Sequence, residues 1–326
     1  MSLPLVSIVI PTKNNENTIE KCLNSILLLN YQNFEVIVVN DGSQDKTQQI
    51  LEKFKEKFEH KNISYTILKT DGVGPSAARN LAIKIARGEY IAFTDADCIV
   101  DREWLNELIK GFEFSSEVMG VGGDQKSPED DTDFGKLVNL FMHIIGFVTE
   151  YVKSENKQKF SETSHNPTCN VMYKKEVFDK VGYFLEGLWP GEDVELDYRI
   201  KKMGYKLLYN PNAMVYHYRP NTFKKFIDMM TRYGEVQAKL VKRYGFFRTI
   251  HFIPIIFHLF IIFLLYLLFV RSFLFFNLLF FLLLCFFFYF LVKSKNFLKS
   301  VKLSTLFILT ILFWNKGFII GVLKKQ

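Results

Sequence analysis

Gly88 to Cys98 reads GEYIAFTDADC, an apolar run from Tyr90 to Phe93 that ends on two carboxylates, Asp95 and Asp97, two residues apart. A short aromatic and aliphatic run behind a glycine, closed by acids, reads as a buried strand whose end opens into a polar crevice. If the chain stays extended there, both acid side chains point the same way and repel one another. They need a cation.

The same punctuation recurs outward along the chain. Val6 to Pro11 reads as a strand, Asn17 to Leu29 as a helix, and Phe34 to Asn40 (FEVIVVN) as a second strand. Asp45 to Phe58 reads as a polar helix capped by Asp45, Tyr65 to Lys69 as a third strand, and Pro75 to Arg87 as a helix with proline at its first position. A helix around Trp104 to Phe112 then precedes a strand at Val118 to Val121. Val/Ile runs alternating with helices predict an α/β domain with a mostly parallel sheet covered on both faces. Ligands bind beyond the carboxyl ends of such strands. Thr12 and Asn15, Asn40 to Ser43, Asp71 and Gly72, and Asp95 and Asp97 all fall at those ends. Oxygen donors of this kind select Mg2+ or Mn2+, which would join the protein to a diphosphate.

Past Gly123 the pattern weakens. Gly122 to Asp133 (GGDQKSPEDDTD) reads as an acidic loop, and Phe134 to Tyr151 as an apolar amphipathic stretch suited to a membrane surface, to another chain, or to ordinary packing.

Composition divides the 326 residues. Many of the 34 Phe crowd into the last quarter, and Ile250 to Val292 carries one formal charge, Arg271, between two apolar stretches long enough to span a bilayer. Lys239, Lys242, Arg243 and Arg248 precede this hairpin and Lys293, Lys295, Lys299 and Lys302 follow it, which places both its ends in the cytoplasm. The N-terminal SLPLVSIVIP has no basic n-region or cleavage site, so the first 248 residues are expected to remain there too. Spans are expected at about 250–270 and 273–292. Residues 303–323 are apolar except for Asn315 and Lys316; of an interfacial helix, a re-entrant helix or a third span, the first two are favoured. The +7 net charge gathers beside these segments, which points to an anionic lipid surface and not to nucleic acid. Cys22, Cys98, Cys169 and Cys285 lack any CxxC or His-paired metal spacing and read as structural thiols of a reduced compartment.

Glu192 and Asp193 follow Gly191 and suit the first turn of a helix from Val194 to Met203. Acids so placed can also serve as a general base. His217, in VYHY, read alone is a satisfied core histidine.

Taken together, SIVIPTKNNE, VIVVNDGSQD, GPSAARNLA, GEYIAFTDADC, HNPTCNVMYKKEVFDKVGYF, GEDVELDYRIKKMGY and VYHYRP resemble the family 2 glycosyltransferases, in order and in spacing, over roughly residues 4 to 245. The resemblance implies a GT-A fold over 1–248, with 1–123 as nucleotide-binding half and 124–248 as acceptor half, followed by a membrane region over 249–326. It makes Pro11, Thr12, Glu16 and Asp41 the nucleoside pocket, Arg79 a contact near the donor phosphates, Asp95 a ribose contact and Asp97 a metal ligand. His217 becomes a further metal ligand or phosphate contact, Asp193 the base, and Glu192 and Asn170 positioning or acceptor residues. Met229 to Gly234 resembles a degenerate QxxRW, with Met229 for Gln and Tyr233 for Trp, which speaks against processive polymerisation and leaves Arg232 as a phosphate or headgroup contact.

The implied protein is an inverting, Mn2+- or Mg2+-dependent transferase in the cell membrane, its catalytic domain in the cytoplasm. It would move a sugar from a nucleotide-sugar, UDP favoured, to a hydroxyl of a polyprenyl-linked glycan. A polyprenyl-phosphate sugar synthase is the alternative within the enzyme class, and a catalytically silent membrane scaffold the alternative outside it. Residues 134–151 and the Phe-rich spans leave room for self-association.

Overall fold

Val6–Thr12 (β1) and Phe34–Asp41 (β2) are buried along their whole length, as near-continuous Val/Ile runs in a two-sided sheet must be. Ile19–Leu27 (α1) lies between them, and Thr47–Glu59 (α2), Ser64–Thr70 (β3), Pro75–Ile85 (α3), Tyr90–Phe93 (β4) and Cys98–Val100 (β5) follow. Then come Trp104–Lys110 (α4), Val118–Lys126 (β6), Asp133–Ile145 (α5), Ser161–Thr163 (β7), Val171–Lys174 (β8), Glu176–Val181 (α6), Glu192–Lys202 (α7) and Lys206–His217 (β9). The computed structural model describes residues 3–146 and 160–324. Within them one unit runs through 3–131 and 160–218, and a second through 132–146 and 219–324.

In the first unit the strands are ordered β3-β2-β1-β4-β8-β6-β9-β5, with β7 also on β9. The first four pair in parallel, so Thr12, Asp41, Thr70 and Phe93 end at one edge. Side chains alternate between two cores, as a period of two requires. Ile8, Ile10, Val36 and Val38 pack with α1, α2 and α4, whereas Val9, Ile37 and Val39 pack with α3, α6 and α7. The expected sheet is therefore present, but mixed. β8 enters antiparallel between β4 and β6, and β5 and β7 run antiparallel to β9.

Two local expectations need correction. β6 continues through Gly122, Gly123 and Asp124 to Lys126, where an acidic loop was expected. The glycine belongs there because a Cβ on Gly123 would lie 1.8 Å from the Ala213 carbonyl oxygen across the sheet. The chain also turns after β4 instead of staying extended, with the Cys98 N–H donating to the Asp95 carbonyl at 3.0 Å. Asp95 and Asp97 consequently have different neighbours.

The second unit is helical among the described residues. Thr132 caps α5 by accepting from the Gly135 N–H at 3.0 Å. The expected apolar stretch is this helix as far as Ile145, and residues 147–151 of it lie outside the described residues. Phe223–Tyr244 (α8), where Arg232 lies, also belongs to this unit. Ile253–Val270 (α9), Ser272–Ser294 (α10) and Phe297–Leu323 (α11) follow. These last three helices are long and apolar enough to cross a membrane.

α8 and the end of α11 are in backbone contact. A Cβ on Gly234 would fall 1.9 Å from the Trp314 carbonyl oxygen, and one on Gly317 would fall 1.9 Å from that of Thr231. Polar contacts close the seam: Lys324 Nζ donates to Glu235 Oε1 at 2.9 Å, and Lys242 Nζ to the Lys324 carbonyl at 2.9 Å.

Candidate active site

Asp41 closes β2 and holds the loop that leads into α3. Its Oδ1 accepts from Thr70 Oγ1 and the Val73 N–H, each at 2.7 Å, and its Oδ2 from the Gly74 N–H at 2.9 Å. Burial pushes this carboxyl up, but the hydrogen bonds from Thr70, Gly74 and Val73 outweigh it and hold the pKa below the usual range. Pro11 and Thr12 end β1 beside it, with Thr12 Oγ1 accepting from Asn15 Nδ2 at 3.2 Å. Glu16 sits on the following turn, where its Oε2 takes the Lys46 N–H at 3.0 Å. Asp45 accepts from the Thr47 N–H at 2.9 Å, acting at the start of α2 as its sequence position suggested.

Arg79 is the pivot of the site. Only 2% exposed on α3, it donates from Nη1 to Glu192 Oε1 at 2.5 Å and from Nη2 to Asp95 Oδ1 at 2.8 Å. One guanidinium thus ties the acidic start of α7 to the turn after β4. Its Nε and Glu192 Oε2 are buried without a hydrogen-bond partner among the described residues. Arg79, expected near donor phosphates, here neutralises two carboxylates. Burial raises the Asp95 pKa, with Arg79 opposing and Asp97 adding to the rise.

Burial likewise pushes Glu192 up to about 7, Arg79 opposing and the Asp193 charge reinforcing. A carboxyl raised above its unfolded value of about 4.3 contributes stability that is complete below that pH and lost as pH climbs through about 7. Glu192→Gln, always neutral, escapes this loss. Thermal unfolding in detergent should show the variant gaining on wild type as pH rises from about 5 to 8; a gap constant with pH would refute a raised Glu192.

Asp193, on the first turn of α7, is half-buried; its Oδ1 accepts from the Val194 N–H at 2.8 Å and its Oδ2 from the Thr168 N–H at 3.2 Å. Two backbone bonds fix its direction and leave lone pairs on each oxygen. Asn170 is fully buried, donating from Nδ2 to the Asp124 and Ala213 carbonyls at 2.8 and 2.9 Å and accepting from Trp104 Nε1 at 2.7 Å. It braces β6 and β9.

Asp97 is the more open of the two acids and faces His217, whose Nε2 lies 3.5 Å from Asp97 Oδ1. A carboxylate oxygen and an imidazole nitrogen at this spacing fit a divalent cation such as Mn2+. His217 Nδ1 is 3.3 Å from Gln125 Oε1. Cys98 and Cys169 also reach His217, the three ligating atoms lying within 4.8 Å of one another. A hydrogen bond with Cys98 pulls the Cys169 thiol down to about 6 against the effect of burial, with His217 assisting.

Sequence reasoning missed the support beneath the loop before Asn170. Asp197 is fully buried and accepts from His165 Nδ1 at 3.0 Å, the Asn166 N–H at 2.7 Å and Tyr173 Oη at 2.7 Å. The available signal was its place four residues after Asp193, which puts both acids on one helix face.

A mixed sheet with its parallel strand ends gathered over an acidic turn is the GT-A architecture. The mannosyltransferase PcManGT from Pyrobaculum calidifontis, solved with GDP-Man and Mn2+, shares it, with a TM-score of 0.57 at 22% identity over 74% of this chain and 65% of that one. Residues 7–182, more than half of the chain, match Glycosyl transferase family 2; the chain belongs to that family and is a glycosyltransferase. Glycosyltransferase AglE of Haloferax volcanii is 28% identical over 246 residues, 73% of this chain and 75% of AglE. Poly-beta-1,6-N-acetyl-D-glucosamine synthase of Staphylococcus aureus is 26% identical over 251 residues, 75% of this chain but only 57% of the synthase.

Proposed function

We propose that the chain transfers a glycosyl group, with inversion, from a nucleoside-diphosphate sugar to a hydroxyl of a polyprenyl-linked glycan at the cytoplasmic face of a membrane. The observation that carries this reading is the Arg79 bridge, which sets Asp193 beside the carboxylates of the Asp95–Asp97 turn through Glu192. Asp193 takes the proton as the acceptor oxygen forms its bond to the anomeric carbon, and the bond from that carbon to the diphosphate oxygen breaks. Asp97 and His217 would hold a Mn2+ or Mg2+, which supplies charge neutralisation for the departing diphosphate. Asp41 orders the loop beside the nucleoside, and Asp95, kept in place by Arg79, is the ribose contact. PcManGT, solved with GDP-Man and Mn2+, supports a donor and a cation of these classes.

The helices support attachment at the bilayer. We read α9 and α10 as a spanning hairpin and α11 as lying along the interface. α8 carries Lys224, Lys225, Asp228, Arg232, Glu235, Lys239, Lys242 and Arg243 and does not belong in hydrocarbon. The end of α11 is seated on it, which keeps Lys324 on the side of the membrane from which α9 enters.

Purified full-length protein with Mn2+, a panel of UDP- and GDP-sugars and a lipid-linked saccharide tests the assignment. Transfer should occur, and Asp97→Ala should lower Mn2+-dependent turnover by at least about 10²-fold, the worth of several kcal/mol of charge stabilisation, with the fold retained. Undiminished turnover in that variant refutes the Asp97 role, and transfer only to bare polyprenyl phosphate refutes the hydroxyl acceptor.

A further inference from the structure

Cys98 and His217 sit directly opposite one another on the antiparallel pair β5 and β9, and Cys169 lies two residues before β8. Strands distant in sequence therefore bring two thiols and an imidazole together, their ligating atoms within 4.8 Å. The backbone around them is fixed: the Cys98 N–H donates to the Asp95 carbonyl at 3.0 Å, and the Cys169 carbonyl accepts from Thr94 Oγ1 at 3.1 Å. Both thiols are buried, whereas His217 keeps partial exposure.

This donor set differs in kind from the one beside it. Two sulfurs and a nitrogen select a thiophilic, tetrahedral ion such as Zn2+, with Zn–S of about 2.3 Å and Zn–N of about 2.0–2.1 Å, distances at which the ligands themselves come close together. Mg2+ and Mn2+ favour carboxylate oxygen. Only His217 is common to both sets.

We propose that Cys98, Cys169 and His217 form a zinc-class site that shares His217 with the Asp97 site, so that its occupation switches transfer off. Binding converts the two thiols to thiolates and releases their protons to solvent, so no oxidant or reductant takes part. The inhibitory half rests on the reading of His217 and Asp97 given under Proposed function; the binding half does not.

Full-length protein, stripped with a chelator and kept in reducing detergent solution, is titrated with Co2+ as the spectroscopic stand-in. Wild type should show thiolate-to-cobalt charge transfer and intense tetrahedral d–d bands, both removed by one equivalent of Zn2+. Cys98→Ser and Cys169→Ser, each left with one thiol, should each lose at least about half of the charge-transfer intensity while retaining wild-type circular dichroism, and Cys285→Ser should keep all of it. Two separate thiol variants guard against one that fails to fold. In the transfer assay, one equivalent of Zn2+ should lower Mn2+-supported turnover of wild type at least about tenfold and leave Cys169→Ser nearly unaffected, since loss of one ligand weakens the competing site. A wild-type spectrum without thiolate bands, or bands of undiminished intensity in both serine variants, overturns the site. Thiolate bands without inhibition overturn the sharing of His217. If no donor supports transfer, the cobalt spectrum still decides whether the metal site exists.

Discussion

Asp193→Asn should reduce kcat for transfer to a hydroxyl roughly 10²- to 10⁴-fold while leaving donor KM nearly unchanged, the range a lost general base produces. The amide keeps the size of the carboxylate and an oxygen for the Thr168 or Val194 N–H, so the start of α7 should hold. What it cannot do is take a proton. Donor affinity, measured by nucleotide-sugar titration, should therefore stay close to wild type as turnover falls. A variant that keeps more than about a tenth of wild-type turnover on a hydroxyl acceptor rules Asp193 out as base. Offering bare polyprenyl phosphate to the same variant adds a second reading, because an acceptor that is already anionic needs no base and would react equally well with both proteins.

Arg79→Met should strongly destabilise the first unit. It leaves Glu192, only 2% exposed, without its counter-ion, and above about pH 7, where that carboxyl is ionised, removing one partner of a buried ion pair costs about 3–5 kcal/mol. The Asp95 arm adds less, since that side chain is 29% exposed and water can share its charge. A loss of this size is a large fraction of the ~5–15 kcal/mol that holds a typical domain together. It should lower Tm by about 6–20 °C. The double variant Arg79→Met/Glu192→Gln should recover part of the loss, because a neutral amide no longer needs the guanidinium. If the double variant unfolds as readily as the single one, the damage comes from lost packing of the arginine and not from the uncompensated carboxylate. Circular dichroism melts of the three full-length proteins in one detergent decide between these outcomes.

Much of this was legible in the chain because the informative signals were local. β1, β2 and β4 are runs of Val, Ile and Phe buried on both faces, and Pro75 and Asp45 mark helix starts within a residue or two. The pairing of β8 was not legible: Val-Met-Tyr-Lys is too short to show whether it runs parallel or antiparallel to anything. β6 is longer than expected because Gly122, Gly123 and Asp124 have the composition of a turn, whereas the structure uses Gly122 to make room for the Asn166 side chain and Gly123 for close approach to Ala213 across the sheet. The resemblance makes Arg79 a contact near the donor phosphates; its burial between Glu192 and Asp95 depends on where α7 returns, which no local pattern encodes. That Cys98, Cys169 and His217 come together was hidden for the same reason. The rule that looks for metal ligands at short fixed spacings cannot see three residues brought together by a nine-stranded sheet.

The seam between α8 and α11 orders events during synthesis. α8 leaves the ribosome well before α11, with the whole α9–α10 hairpin made in between. Until Gly317 arrives, the Gly234 face of α8 lacks the α11 backbone that it meets in the folded unit, so this seam closes only after the α9–α10 hairpin has been made. A chain interrupted between α10 and α11 would leave the Gly234 face of α8 open, since the groups that close it, Trp314, Gly317 and Lys324, all lie in or just beyond α11.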